Sequence, residues 1–243
     1  MRTSRVYVDQ PLAAHASVRI DGPAAGHLVR VLRLAAGDAL TVFSGRGGEY
    51  PARVREAGRD YAIVELGEQR AVERESPLAV TLAQGVSRGE RMDFVVQKAT
   101  ELGVRHIVPL LTERTVVRFD ARQSEARLRH WRSIAVGACE QCGRNALPQI
   151  EAPADLADFL SRPDAQSRRI MLSPDGDTAL RDLDRAAAGV TLLVGPEGGL
   201  SAAERQAAVR AGFRALRLGP RVLRTETAAL AALVAVQLWL GDI

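Results

Sequence analysis

From residue 78 onward the chain alternates short apolar runs with helical periodicity, which restricts it to a parallel sheet covered by helices on both faces. The spacing predicts strands at 78–83, 106–110, 169–172, 191–194 and 215–218. Helices are predicted at 90–102, 122–142, about 177–188, 202–211 and 225–240. In the long helix Leu128, Trp131, Ala135, Ala138 and Cys142 fall on one stripe. Upstream the rhythm is different. Strands are predicted at 5–9, 39–43, 50–55 and 61–66, with a glycine-rich hairpin connection at 44–48 and one helix opening at Asp21-Gly22-Pro23 and running to about Leu34. Such spacing suits a small β-barrel. The polar, charged stretch from Gly67 to Pro77 separates the two patterns. The expectation is therefore a barrel at 1–70, a linker at 71–77 and an α/β domain at 78–243.

With 243 residues the chain can bury a core without disulfides or metal. The four histidines, His15, His27, His106 and His130, show no metal-ligand spacing, and Cys139 and Cys142 form a lone CxxC inside a predicted helix. Both cysteines are read as structural, and no metal is expected. The apolar stretch 228–240 is broken by Gln237 and is too short to span a bilayer. Two cysteines and no visible export signal point to a reducing cytoplasm. The net charge of +4 permits a nucleic-acid partner without selecting one. The densest basic stretch, 114–132, reads equally as a solvated helix face or an RNA-facing stripe. Arginine occurs 32 times and lysine once, at Lys98. That lone ammonium, a compact point charge rather than a planar fork, marks Lys98 as a functional candidate.

Three strings carry the chemistry. Val194-Gly195-Pro196-Glu197-Gly198-Gly199 is a strand end followed by a sharp loop, placed where parallel sheets bind ligands, with glycines that let backbone approach closely. Ser201 and Glu204 have the spacing of a capping box for the helix that follows. Leu218-Gly219-Pro220-Arg221-Val222-Leu223-Arg224-Thr225-Glu226-Thr227 repeats the arrangement, with Thr225 as the predicted N-cap and Glu226 suited to the first turn. Arg224 is the exception, a cation at the positive end of a helix. Gln97-Lys98-Ala99-Thr100-Glu101-Leu102-Gly103 is an amphipathic helix stopped by glycine.

Together with His27-Leu28-Val29-Arg30-Val31-Leu32-Arg33-Leu34, Glu113-Arg114 and Glu140-Gln141-Cys142-Gly143-Arg144, these strings resemble the bacterial 16S ribosomal RNA (uracil-N3)-methyltransferases of the SPOUT superfamily. The resemblance covers nearly the whole chain. It implies an N-terminal PUA-like RNA-binding barrel, a C-terminal trefoil-knotted α/β domain, a homodimer, S-adenosylmethionine as cofactor and 16S rRNA or the small ribosomal subunit as substrate. On that footing the cofactor lies among Val194, Gly195, Pro196, Gly198, Gly199, Leu218, Gly219, Val222, Leu223 and Thr227, with Leu172 and Ser173 as a third wall. Glu226 and Glu197 are candidate bases for the N3 proton and Arg224 the candidate cation. Arg30, Arg33, Lys98, Arg114 and Arg144 are candidate RNA contacts. A ribose 2′-O-methyltransferase of the same superfamily would show Ser-Leu-Asn in place of Thr225-Glu226-Thr227. A non-catalytic RNA-binding assembly factor that kept the fold is the alternative from another class.

Overall fold

The computed structural model describes residues 4–163, 167–182 and 189–243. The chain forms two compact units, one of Met1–Glu75 with Val136–Leu147, the other of Ser76–Ala135 with Pro148–Ile243.

The first unit is a curled five-stranded sheet in the order β1-β3-β4-β5-β2. Its strands are β1 (Ser4–Tyr7), β2 (Ser17–Asp21), β3 (Ala39–Phe43), β4 (Tyr50–Ala57) and β5 (Tyr61–Leu66). Only the β1–β3 pair is parallel. Alternation places Tyr50, Ala52 and Val54 of β4 and Ala62, Val64 and Leu66 of β5 on the inner face, where Val6, Ile20, Leu28, Leu40 and Val42 close the core. β2 has no counterpart among the sequence expectations. Its five residues carry only two apolar side chains, Val18 and Ile20, and its partner is the distant β5.

The helix expected from Asp21 to Leu34 is a short α-turn, α1 (Gly22–Gly26), followed by one π-helical turn at His27–Val31. Glycines at both ends of α1 weaken the α-helical ladder, and the segment ends at Arg33 in a left-handed conformation (φ 53°). Arg30 and Arg33 are both exposed, but the α-helical spacing that would align them on one face is absent.

Residues 136–147 join this unit through buried polar contacts. Glu140 accepts the Tyr7 N–H at 3.0 Å, and the Arg5 guanidinium reaches Asn145 at 2.6 Å and Glu49 at 2.5 Å. Gly143, at φ 95°, turns the chain, and Arg144, only 3% exposed, makes a two-pronged ion pair with Glu75 at 3.0 and 2.6 Å. The expectation that Arg144 faces RNA is corrected here: its planar fork satisfies an internal carboxylate instead.

The second unit holds a seven-stranded sheet, ordered β12-β10-β11-β6-β7-β8 with β9 also on β7, and every pairing is parallel. Its strands are β6 (Ala79–Gly85), β7 (His106–Leu111), β8 (Gln149–Ile150), β9 (Ala154–Asp155), β10 (Ser167–Leu172), β11 (Gly189–Val194) and β12 (Arg214–Leu216). The helices are α2 (Arg91–Glu101), α3 (Ala121–Cys142), α4 (Leu156–Leu160), α5 (Ala202–Arg210) and α6 (Thr225–Leu240). Every residue of the central β11 is buried, which is why it reads as an unbroken apolar run. One face packs Val80, Leu82, Leu192, Leu233, Val236 and Trp131 together, and the other packs Val108, Leu110, Met171, Leu193 and Phe213. Gln237, which interrupts the apolar run of α6, is fully buried, accepting from Ser76 at 2.8 Å and donating to the Leu102 carbonyl at 3.0 Å. Of the helix expected at 177–188, the described part is a single 3-10 turn at Leu180–Asp182, and 183–188 lie outside the described residues. Among the described residues no helix is long and apolar enough to cross a membrane.

The Arg144–Glu75 pair gives a direct test. Arg144→Ala leaves a mostly buried carboxylate without its partner, which costs on the order of 3 kcal/mol. The expected result is a clearly lower urea midpoint for unfolding of the first unit, and an unchanged midpoint would show that the pair contributes nothing net.

Candidate active site

Beyond the carboxyl ends of β10, β11 and β12 the connecting segments enclose a cavity of about 540 Å³. This is the end of a parallel sheet at which ligands bind. The segment after β10 is pressed against β12: the Ser173 N–H donates to the Leu216 carbonyl at 3.0 Å and the Thr178 N–H to that of Ala215 at 3.1 Å. Gly176 permits this, since a Cβ there would lie 2.6 Å from the Ala215 oxygen.

The loop after β11 turns more sharply. A Cβ on Gly195 would lie 2.9 Å from the backbone of Gly199 and Leu200, and one on Gly85 would run into the Pro196 nitrogen. The Gly199 N–H closes the turn onto the Pro196 carbonyl at 2.8 Å, with Gly199 at φ 67°. Three outward carbonyls are taken by side chains from three places. Thr225 Oγ1 donates to Gly195 at 2.6 Å, Arg114 Nη1 to Gly198 at 2.8 Å and Arg205 Nη1 to Leu200 at 2.7 Å. The capping box expected from Ser201 and Glu204 is present, and Glu204 also accepts the Glu113 N–H at 2.7 Å.

Glu197 is fixed as well. Its Oε1 accepts the Arg88 N–H and Arg91 Nη1, each at 2.9 Å. Burial alone would raise this carboxyl, but the Arg88 N–H, its own backbone N–H and the Arg91 guanidinium hold it below its ordinary value of 4.5. A carboxylate already engaged by two donors is a poor proton acceptor. The structure therefore moves Glu197 from candidate base to loop clamp.

The third wall, 216–224, is largely exposed, and Val222 is 80% accessible. Helix α6 begins at Thr225, so the N-cap residue is Arg224, which makes no side-chain cap bond. That corrects the sequence expectation of a Thr225 cap: the Thr225 hydroxyl is committed to Gly195 instead. The side chains of Arg217, Arg221 and Arg224 have no hydrogen-bond or ion-pair partner among the described residues. Glu226 lines the cavity, and its Oε2 is buried with no hydrogen-bond partner among the described residues.

The fold thus gathers Leu172, Ser173, Val194, Gly195, Pro196, Gly198, Gly199, Leu218, Gly219, Val222 and Leu223 around one space, together with Arg224, Glu226, Glu197 and Arg114. Thr227 does not line it and is exposed on α6. Arg30 and Arg33 belong to the other unit. Lys98 pairs within its own helix, Nζ lying 2.8 and 3.0 Å from the Glu101 carboxylate, so it offers no free cation. The sequence reading missed Arg91, Asp175, Arg205, Arg217 and Thr225 as wall residues, and it did not single out Arg221 within the 218–223 loop. Ser173-Pro174-Asp175-Gly176 is a turn string that could have announced the β10 loop. The arginines carry no comparable local signal.

Residues 74–237 match the model of the RNA methyltransferase domain family, and 20–67 match that of the RNA methyltransferase PUA domain. A ribosomal RNA small subunit methyltransferase E from Buchnera aphidicola is 31% identical over 242 residues, covering 100% of this chain and 98% of the relative. The chain belongs to the ribosomal RNA small subunit methyltransferase E family. The family member from Bacillus subtilis is 31% identical over 225 residues, 89% of this chain and 88% of its own length. In structure, the Neisseria gonorrhoeae member bound to S-adenosyl methionine superposes with a TM-score of 0.93 at 36% identity, covering 100% of both chains. A Legionella pneumophila structure with bound cofactor SAM gives a TM-score of 0.97 at 39% identity over 100% of both chains.

The Glu197 clamp has a pH signature. A carboxyl with a depressed folded-state pKa contributes stability that is full above its ordinary value and is lost as pH falls through the depressed one. Glu197→Gln should melt below wild type at pH 7, and the gap should close as pH drops below about 4. Thermal melts of both chains from pH 7 to 3 test this, and a pH-independent gap would rule out the charged clamp.

Proposed function

We propose that the chain transfers the methyl group of S-adenosylmethionine to N3 of a specific uridine in 16S rRNA. One observation carries the reading: an unpartnered Arg224 and an uncommitted Glu226 line a cavity built from glycine loops beyond a parallel sheet. The full-length likeness to a small subunit methyltransferase E that binds the cofactor supports it.

The residues present fit the cofactor. The glycines at 195, 198, 199 and 219 let backbone come close to a ligand, and Leu172, Val194, Leu218 and Leu223 offer apolar surface to a purine. When bound, S-adenosylmethionine supplies an electrophilic sulfonium methyl. The protein's part is to hold the uridine in line and manage its N3 proton. Glu226 is the acceptor for that proton, because its carboxylate is not engaged as that of Glu197 is. Arg224 faces the negative charge left on the ring, adding to the positive end of α6. Arg30 and Arg33 of the first unit contribute RNA affinity, and exposed Arg114 adds to it with the donors that its bond to Gly198 leaves free. A homodimer, the trefoil knot and action in the cytoplasm belong to the same reading. An apolar stripe on α6, Leu230, Val234 and Leu238 at four-residue spacing, is left partly open and suits a second copy.

Arg224→Ala should lower the single-turnover methylation rate on the order of a hundredfold. Cofactor affinity and Tm should stay near wild type. A near-wild-type rate at saturating cofactor and RNA would end the catalytic claim. Mapping 16S rRNA from a deletion strain checks the target: one N3-methyluridine should disappear, and its persistence would refute the assignment.

A further inference from the structure

Gln84 ends in the floor of the site without belonging to its walls. It is the penultimate residue of β6 and is fully buried. Its Nε2 donates to Thr225 Oγ1 at 2.9 Å and to the Gly85 carbonyl at 3.0 Å. The Thr225 hydroxyl, in a residue only 7% exposed, donates its single proton to the Gly195 carbonyl at 2.6 Å. The direction of the chain is therefore fixed: the Gln84 amide gives to the hydroxyl, and the hydroxyl gives to the loop.

Each end of this relay holds a different part of the site. Gly195 opens the loop after β11. Thr225 is the first residue of α6 and sits between Arg224 and Glu226 in the chain. Gly85, next to Gln84, lies directly beneath Pro196 with no room for a Cβ, so the relay starts from the surface on which the loop rests. The α6 N-terminus has no side-chain cap to fix its first turn. A side chain that would ordinarily serve the helix serves the loop.

We infer that Thr225, backed by Gln84, is a positioning residue for methyl transfer. It sets the register of the α6 start, and hence of Arg224 and Glu226, against the loop at 195–199. The inference rests on the functional reading above and adds a role that no contact with substrate requires. Misplacement of reacting groups by a fraction of an ångström to an ångström is enough to slow a reaction without preventing binding. The relay should accordingly act on turnover more than on affinity for RNA.

The test uses the full chain and single-turnover methylation of 16S rRNA at saturating cofactor and RNA, with cofactor Kd by calorimetry. Thr225→Val keeps the shape and removes the hydroxyl. Its rate should fall on the order of tenfold or more, with RNA affinity within about threefold of wild type. Thr225→Ser keeps the hydroxyl and should recover most of the rate. Gln84→Met should also slow transfer, and the double variant Gln84→Met with Thr225→Val should be no slower than the worse single one, because both break one chain. If Thr225→Val does not fold, Gln84→Met and the serine rescue carry the same expectation. A wild-type rate in Thr225→Val, a loss that serine does not repair, or additive losses would overturn the relay. A wild-type chain that transfers no methyl group and gives no heat with S-adenosylmethionine would instead overturn the functional reading beneath it.

Discussion

Backbone carbonyls at the sharp turn after β11 need donors, and the molecule finds them in three separate places. Thr225 comes from α6, Arg114 from the segment after β7, and Arg205 from α5. The need follows from the sheet. β11 is buried along its whole length, so its end emerges from the core into a turn too tight to satisfy its own polar groups. Glycine permits the turn but supplies no donor. Each donor therefore does two things: it satisfies a carbonyl and it ties another element to the loop. Glu197 adds a fourth tie, to Arg88 between β6 and α2 and to Arg91 at the start of α2. A ligand lying on this loop is coupled to the placement of every element that holds it.

Arginine does two kinds of work around the cavity. Arg91, Arg114 and Arg205 have their guanidinium groups occupied by a carboxylate or a carbonyl and are part of the frame. Arg217, Arg221 and Arg224 line the same space, all from one stretch after β12, and none has a partner among the described residues. Unpaired cations close together repel one another, and the cavity concentrates their field. A polyanion arriving at this rim relieves that repulsion, whereas a small neutral ligand does not. Counting basic residues does not reveal that division. Lys98 shows the weakness of counting, since the rarity of lysine in this chain marked a residue that pairs with Glu101 one turn along its own helix.

Legibility in the sequence tracked locality. The parallel sheet showed itself because strands buried on both faces are continuously apolar, and the two loops at the cavity showed themselves through glycines, Gly199 and Gly219 at positive φ among them. Ser201 and Glu204 were readable as a capping box because the motif is complete within four residues. What stayed hidden depends on distant partners. β2 exists by pairing with β5, from Asp21 with Tyr61 to Ser17 with Glu65, far along the chain. Residues 136–142 are the end of a regular helix and 143–147 turn away from it, and nothing local says that Glu140, Arg144 and Asn145 bind Tyr7, Glu75 and Arg5. Thr225 looked like a cap because a threonine before a helix usually is one. A shift of one position in the helix start turned its hydroxyl toward Gly195 instead.

The same shift decides the electrostatics of the proposed reaction. With the helix starting at Thr225, Arg224 stands at the N-cap, where the α6 macrodipole already presents roughly half a positive charge. Glu226, in the first turn, is the nearest compensating anion in the sequence. If Glu226 takes the N3 proton, its own charge disappears as the uridine ring acquires one. The negative charge moves from one acceptor to another while the cation and the helix end stay fixed, so the site as a whole never gains or loses charge. A proton transfer of that kind needs little rearrangement of the surroundings, because the preorganised positive field serves both the initial and the final anion. That is the physical case for placing an arginine where a helix alone would disfavour one, and for holding the helix start rigidly to the loop on which the methyl donor would lie.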